Sequence, residues 1–113
     1  MIVRPGLAVV LPGFALEIED LLTKRNELKL AAQVASLEIV DRCRCGEEFC
    51  SAFYVEPKPQ GAYGRGHRNV DLEPETGMII LDVVDDRIMQ IEVLYRDEVR
   101  RAIQASIPYS QSI

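Results

Sequence analysis

The sequence predicts an α+β domain: an antiparallel β-meander of about four to five strands with an N-terminal and a C-terminal helix. Three observations carry this. Phe14, Ile18, Leu21, Leu22 and Leu28 recur at helical spacing, β-branched and alternating runs occupy residues 34–95, and helical spacing returns after Asp97. At 113 residues the chain has the length of one domain, residues 1–113, with room for a core that needs no disulfide staples.

The opening stretch to Pro12 is short and apolar, but it carries one basic residue and two prolines. It therefore reads as a buried strand or an extended arm rather than a signal peptide. Pro12-Gly13 closes it, and a helix is predicted over residues 15–31, with Glu17, Glu19 and Asp20 placed to suit the positive end of its dipole. Residues 33–43 read as a strand with Leu37, Ile39, Asp41 and Cys43 on one face, and residues 51–55 as a second strand beyond a tight loop around Gly46. Residues 70–73 and 78–84 flank Glu73-Pro74-Glu75-Thr76-Gly77, a turn in which proline presets φ and Gly77 accepts positive φ. Residues 78–84 and 87–95 flank a second turn signal, Asp85-Asp86. Asp97 is the predicted cap of a last helix running to about Ser106, with Val99, Ala102 and Ile103 facing inward and Pro108 stopping it. The stretch Thr76-Gly77-Met78-Ile79-Ile80-Leu81-Asp82-Val83-Val84-Asp85-Asp86-Arg87-Ile88-Met89-Gln90-Ile91-Glu92-Val93-Leu94 resembles hairpins of small uncharacterised bacterial domains. The resemblance implies strands and carries no functional residue.

Net charge is −5, which argues against a general binder of nucleic acid or acidic membranes, and no apolar run is long enough to span a bilayer. The expected location is a bacterial-type cytoplasm, where thiols stay reduced, and three cysteines cannot all pair within one chain. Charge is unevenly distributed. Residues 57–70 carry three basic and no acidic side chains in an otherwise acidic protein. The Pro/Gly-rich loop expected at residues 57–69 lies within this island, and its glycines expose backbone N–H groups. Arg65, His67 and Arg68 are accordingly the candidate anion-binding residues, weighed against a plain surface connection. The loop has neither the dinucleotide glycine order nor a phosphate-loop motif.

All the soft metal-binding side chains other than methionine fall within 25 consecutive residues: Cys43, Cys45, Cys50 and His67. Alternation puts Cys43 and Cys45 on one strand face, and a loop of two or four residues returns Cys50 to that face. Three thiolates and one imidazole would make the closed tetrahedral set that zinc favours. The bland reading treats the cysteines as small buried apolar groups or incidental thiols, and thiol redox chemistry ranks third. For His67 the bland reading is a solvated or backbone-bonded ring. The run Asp82, Asp85, Asp86 and Glu92 reads as a solvated face and turn.

No serine nucleophile motif, paired metal-binding histidines or dinucleotide fingerprint is present, so no reaction class can be assembled. The expected role is that of a small noncatalytic interaction or accessory protein, zinc-stabilised if the cysteines bind metal, meeting an unidentified protein partner. The alternative is a small metal- or thiol-dependent enzyme centred on Cys43, Cys45, Cys50 and His67.

Overall fold

The computed structural model describes residues 4–107. Four helices, α1 (Leu7–Val10), α2 (Pro12–Lys24), α3 (Leu28–Ala31) and α4 (Asp97–Ser106), flank a five-stranded antiparallel sheet. Its strands are β1 (Asp41–Arg42), β2 (Phe53–Tyr54), β3 (His67–Asp71), β4 (Met78–Val84) and β5 (Arg87–Leu94), in the spatial order β1-β2-β5-β4-β3. The α+β class and the antiparallel sheet with helices towards both ends are as the periodicity predicts.

The opening stretch is neither the expected strand nor an extended arm throughout. Gly6 is extended and bridges Glu38, and Pro5 C=O accepts from Ile39 N–H at 2.7 Å, but the apolar residues that follow form the helical turn α1. Pro12 then occupies the first turn of α2, where its missing N–H costs nothing, so the helix starts earlier than the predicted residue 15. The predicted continuous helix also breaks. Asn26 adopts φ 62°, Glu27 N–H donates to Leu22 C=O at 2.9 Å and Asn26 N–H to Thr23 C=O at 3.0 Å. This is a Schellman ending with asparagine in the left-handed position usually filled by glycine. Because α2 begins at Pro12, Glu17 lies beyond its first turn and serves a different purpose: its carboxylate binds the Arg96 guanidinium at 2.7 and 3.0 Å.

Residues predicted to open the first strand instead form a 3₁₀ turn at Val34–Ser36, and regular pairing is confined to the two residues of β1. The central hairpin is far more regular. Asp85 and Asp86 take φ 48° and 65°, supplying the left-handed pair of a two-residue hairpin turn without glycine, and a bulge at Asp82/Val83 leaves Met89 as the extra residue. Gly77, at φ 71°, lies where a Cβ would meet Leu94 O at 2.5 Å, so the turn before β4 requires glycine. In α4, Asp97 is the first helical residue rather than the cap, a place taken by Arg96; Asp97 pairs instead with Arg101 at 2.9 Å. Val99 and Ile103 are buried as predicted, while Pro108 lies outside the described residues.

Ile79, Leu81, Val83, Ile88, Ile91 and Val93 point from β4 and β5 into the core, where they meet Phe14, Ile18 and Leu22 of α2 and Val99 and Ile103 of α4. The alternate residues form a cross-strand row on the opposite face. Asp41 pairs with Tyr54, Tyr54 with Gln90, Gln90 with Asp82, and Asp82 with Asn69.

Candidate metal centre

The segment from β1 to β2 is a narrow, irregular hairpin anchored on both sides. Cys43 N–H donates to Ala52 C=O at 2.8 Å, and Asp41 Oδ1 accepts from Arg44 Nη2 at 2.8 Å. Gly46 takes φ 79°, and Cys50 N–H closes a turn onto Glu47 C=O at 3.2 Å. On the other side, Cys50 bridges Leu94, and Tyr95 N–H donates to Phe49 C=O at 2.9 Å. The loop is thus tied to the end of β5, and the Phe49 and Tyr95 rings stack beside it at 5.5 Å, both exposed.

This scaffold gathers the three cysteines: the sulfurs of Cys43, Cys45 and Cys50 all lie within 4.8 Å of one another. Cys45 is exposed and the other two are half-buried, so the reading of all three as core apolar groups does not describe them. Their environments differ. The Glu47 backbone N–H, helped by Cys43 and Cys50, holds the Cys45 thiol below the ordinary thiol range, whereas burial pushes Cys50 up to about 12. A coordinated cation would override this contrast, because metal binding deprotonates a thiol outright. Asp41, Arg42, Arg44, Tyr54 and Lys58 join Cys43 and Cys45 in lining a groove of about 340 Å³.

His67 does not complete the set. It begins β3, the strand at the opposite edge of the sheet, where it pairs with Val84; the cysteines sit by Leu94, whose partner is Met78 at the other end of β4. Along the strand alone, Met78 and Val84 are about 20 Å apart. The His67 ring instead places Nε2 2.8 Å from Asp82 Oδ1 and tilts against Tyr63 at 4.9 Å. The sequence put His67 in a loop, but β3 claims His67, Arg68 and Asn69, so the loop ends at Gly66.

Part of the basic island is answered by acids of the same chain. Arg68 makes a two-pronged ion pair with Glu27 at 2.8 and 3.0 Å and approaches Asp86 at 3.7 Å, while His67 is engaged by Asp82; Arg65 is exposed. Two of the three candidate anion-binding side chains therefore already face a carboxylate.

A second group of titratable residues escaped the sequence reading. Asp82 is buried rather than solvated, with Oδ1 accepting from Asn69 Nδ2 at 2.7 Å as well as from His67. Its Oδ2 is buried with no hydrogen-bond partner among the described residues. Hydrogen bonding to Asp82, reinforced by burial, raises Glu92 to about 7, so Glu92 keeps its proton far above the ordinary carboxyl range. Tyr63 reaches over the same face and donates to Gln90 Oε1 at 3.1 Å. An aspartate inside the apolar run of β4 was the signal for this network.

Comparison with protein-family models, with curated proteins and with solved structures finds no match to the chain. None of the helices described is long and apolar enough to cross a membrane.

Proposed function

We propose that this chain is a small noncatalytic accessory protein whose Cys43, Cys45 and Cys50 bind a thiophilic metal ion, zinc first among them, and whose metal-organised loop meets a protein partner. The observation that carries this reading is the approach of the three sulfurs to within 4.8 Å of one another. Zinc–sulfur bonds of about 2.3 Å at tetrahedral angles need sulfurs about 3.8 Å apart, so binding asks the loop to close by only about 1 Å. Three thiolates fill three positions, leaving the fourth for water or for a donor from the partner. Two-residue strands on either side give the loop little regular pairing, which is where a metal clamp contributes most. The exposed Phe49 and Tyr95 rings beside Cys50 supply apolar area for contact.

The enzyme alternative draws on the same open fourth position and on the adjoining groove, in which Tyr54 and Lys58 lie near Cys43 and Cys45. Protein purified without chelator should carry equimolar metal, and its cobalt form should show intense sulfur-to-cobalt absorption that is lost in Cys45→Ser. A reduced protein that retains no metal and gives no cobalt spectrum would overturn the reading. Displacement of a cobalt-bound water by small anions would favour the enzyme.

A further inference from the structure

We propose that the cysteine cluster is also a site of reversible oxidation by hydroperoxides, with Cys45 as the sulfur attacked and Cys50 as the residue that resolves it into an intramolecular disulfide. Cys45 is the exposed member, so an oxidant in solution meets it before the half-buried Cys43 and Cys50. The choice of partner follows from register. Asp41 pairs with Tyr54 and Arg42 with Phe53, and the Cys43 N–H bond to Ala52 C=O continues the same alignment. Beyond that bond Cys45 and Cys50 flank the turn of residues 46–49, which Cys50 N–H closes onto Glu47 C=O, and their sulfurs lie within 4.8 Å. Sulfurs this close across a four-residue turn need only a small backbone movement to reach the geometry a disulfide spans. Cys43 and Cys45 are alternate residues of one extended segment, about 6.6 Å apart, at the far limit of that range. Gly46, at φ 79°, lets the turn adjust as the sulfurs close from within 4.8 Å to bonding distance.

The chemistry balances with the hydroperoxide as the only co-reactant. The Cys45 thiolate attacks the distal peroxide oxygen, the O–O bond breaks, and the departing alkoxide takes a proton to become an alcohol, leaving a sulfenic acid. The Cys50 sulfur then attacks the Cys45 sulfur, and the S–O bond breaks. Hydroxide leaves with the Cys50 proton as water, so two thiols are oxidised by two electrons and one peroxide is reduced. The disulfide removes two of the three metal donors. A consequence for metal retention rests on the proposed metal reading; disulfide formation itself does not.

The test is to treat the reduced, metal-free full chain with equimolar hydrogen peroxide, alkylate it, and map the peptides by mass spectrometry. Two thiols should be lost, with Cys45 and Cys50 cross-linked, Cys43 alkylated, and all three thiols restored by dithiothreitol. Cys43→Ser should form the same bond, and Cys50→Ser should stop at a sulfenic acid on Cys45 that dimedone traps. Three thiols still open to alkylation, disulfides formed chiefly between chains, or a bond chiefly to Cys43 would overturn the proposal. Zinc titration separates the two readings: reduced protein that fails to bind zinc removes the metal reading and leaves the disulfide result intact, whereas zinc binding without disulfide formation does the reverse.

Discussion

The thiol loop and the Asp82 network both gather titratable groups, by opposite routes. Cys43, Cys45 and Cys50 are close in sequence and are brought together by one local turn at the sheet margin. His67, Asn69, Asp82 and Glu92 come from three strands and meet only because β3, β4 and β5 pair in register. The first cluster is partly exposed, and its members stay within reach of metal or oxidant. In the second, Asp82 is buried, and its charge is answered by neighbours of the same chain. Proximity in sequence thus marks the region open to outside chemistry, whereas the polar groups assembled by topology are turned towards one another.

The contrast makes its strongest prediction about packing. Ile91 is fully buried between Phe53 and Leu81, so Ile91→Ala should cost about 3 kcal/mol in urea unfolding. Cys45→Ser, at an exposed position, should change the metal-free protein by less than about 0.5 kcal/mol. Comparable losses at the two positions would mean that the loop is part of the cooperative core, and the distinction would collapse.

Metal should narrow that gap from the loop side. If the reduced cluster binds zinc, free zinc at a hundredfold excess over its dissociation constant should add about 2.7 kcal/mol to stability. Chelator should reverse the gain, and Cys45→Ser should not show it. The same stabilisation in that variant would place the metal elsewhere.

The network should announce itself through pH. Glu92 is raised to about 7 from an ordinary value of 4.5, so between those limits the folded chain holds more proton than the unfolded one. Its contribution to stability is complete below about pH 4.5 and is lost as pH rises through 7. Glu27 and Glu98, both lowered, act in the opposite sense and lose their contribution as pH falls, so the informative quantity is the difference between the native chain and Glu92→Gln. Over pH 4.5 to 7.5 that difference should change by about 1 kcal/mol, allowing for solvent screening of a half-buried group. Parallel stability curves would show that Glu92 is not raised.

What the sequence made legible follows the same division. Alternation and turn chemistry define β4, β5 and the Asp85-Asp86 turn, because there local preference and tertiary pairing agree. The gathering of the cysteines was legible for the same reason, since it depends on one short hairpin. The placement of His67 was not: glycines before it signal a loop, whereas pairing with β4 draws it into a strand on the far edge. Asn26 was likewise silent, because an asparagine within helical spacing gives no sign that it will turn left-handed and end α2. Asp82 looked solvated because acidic residues usually are, and only the row of partners on either side makes its burial tolerable.

The smallest expected effect tests how the segment before β3 is fastened to the polar face. Tyr63 touches that face in two ways, through its hydroxyl hydrogen bond to Gln90 Oε1 at 3.1 Å and through its ring against His67 at 4.9 Å. Tyr63→Phe keeps the ring and removes only the hydroxyl. Gln90 is half-buried, so water can take over the freed acceptor, and the loss should be about 0.5 kcal/mol, at the low end for a neutral hydrogen bond. A double-mutant cycle with Gln90→Leu should recover that coupling, while thiol alkylation of Cys45 should proceed at an unchanged rate. Zero coupling would leave ring contact as the sole fastening. A changed rate at Cys45 would show that the loss is felt along the row from Gln90 through Tyr54 to Asp41, which lines the thiol groove.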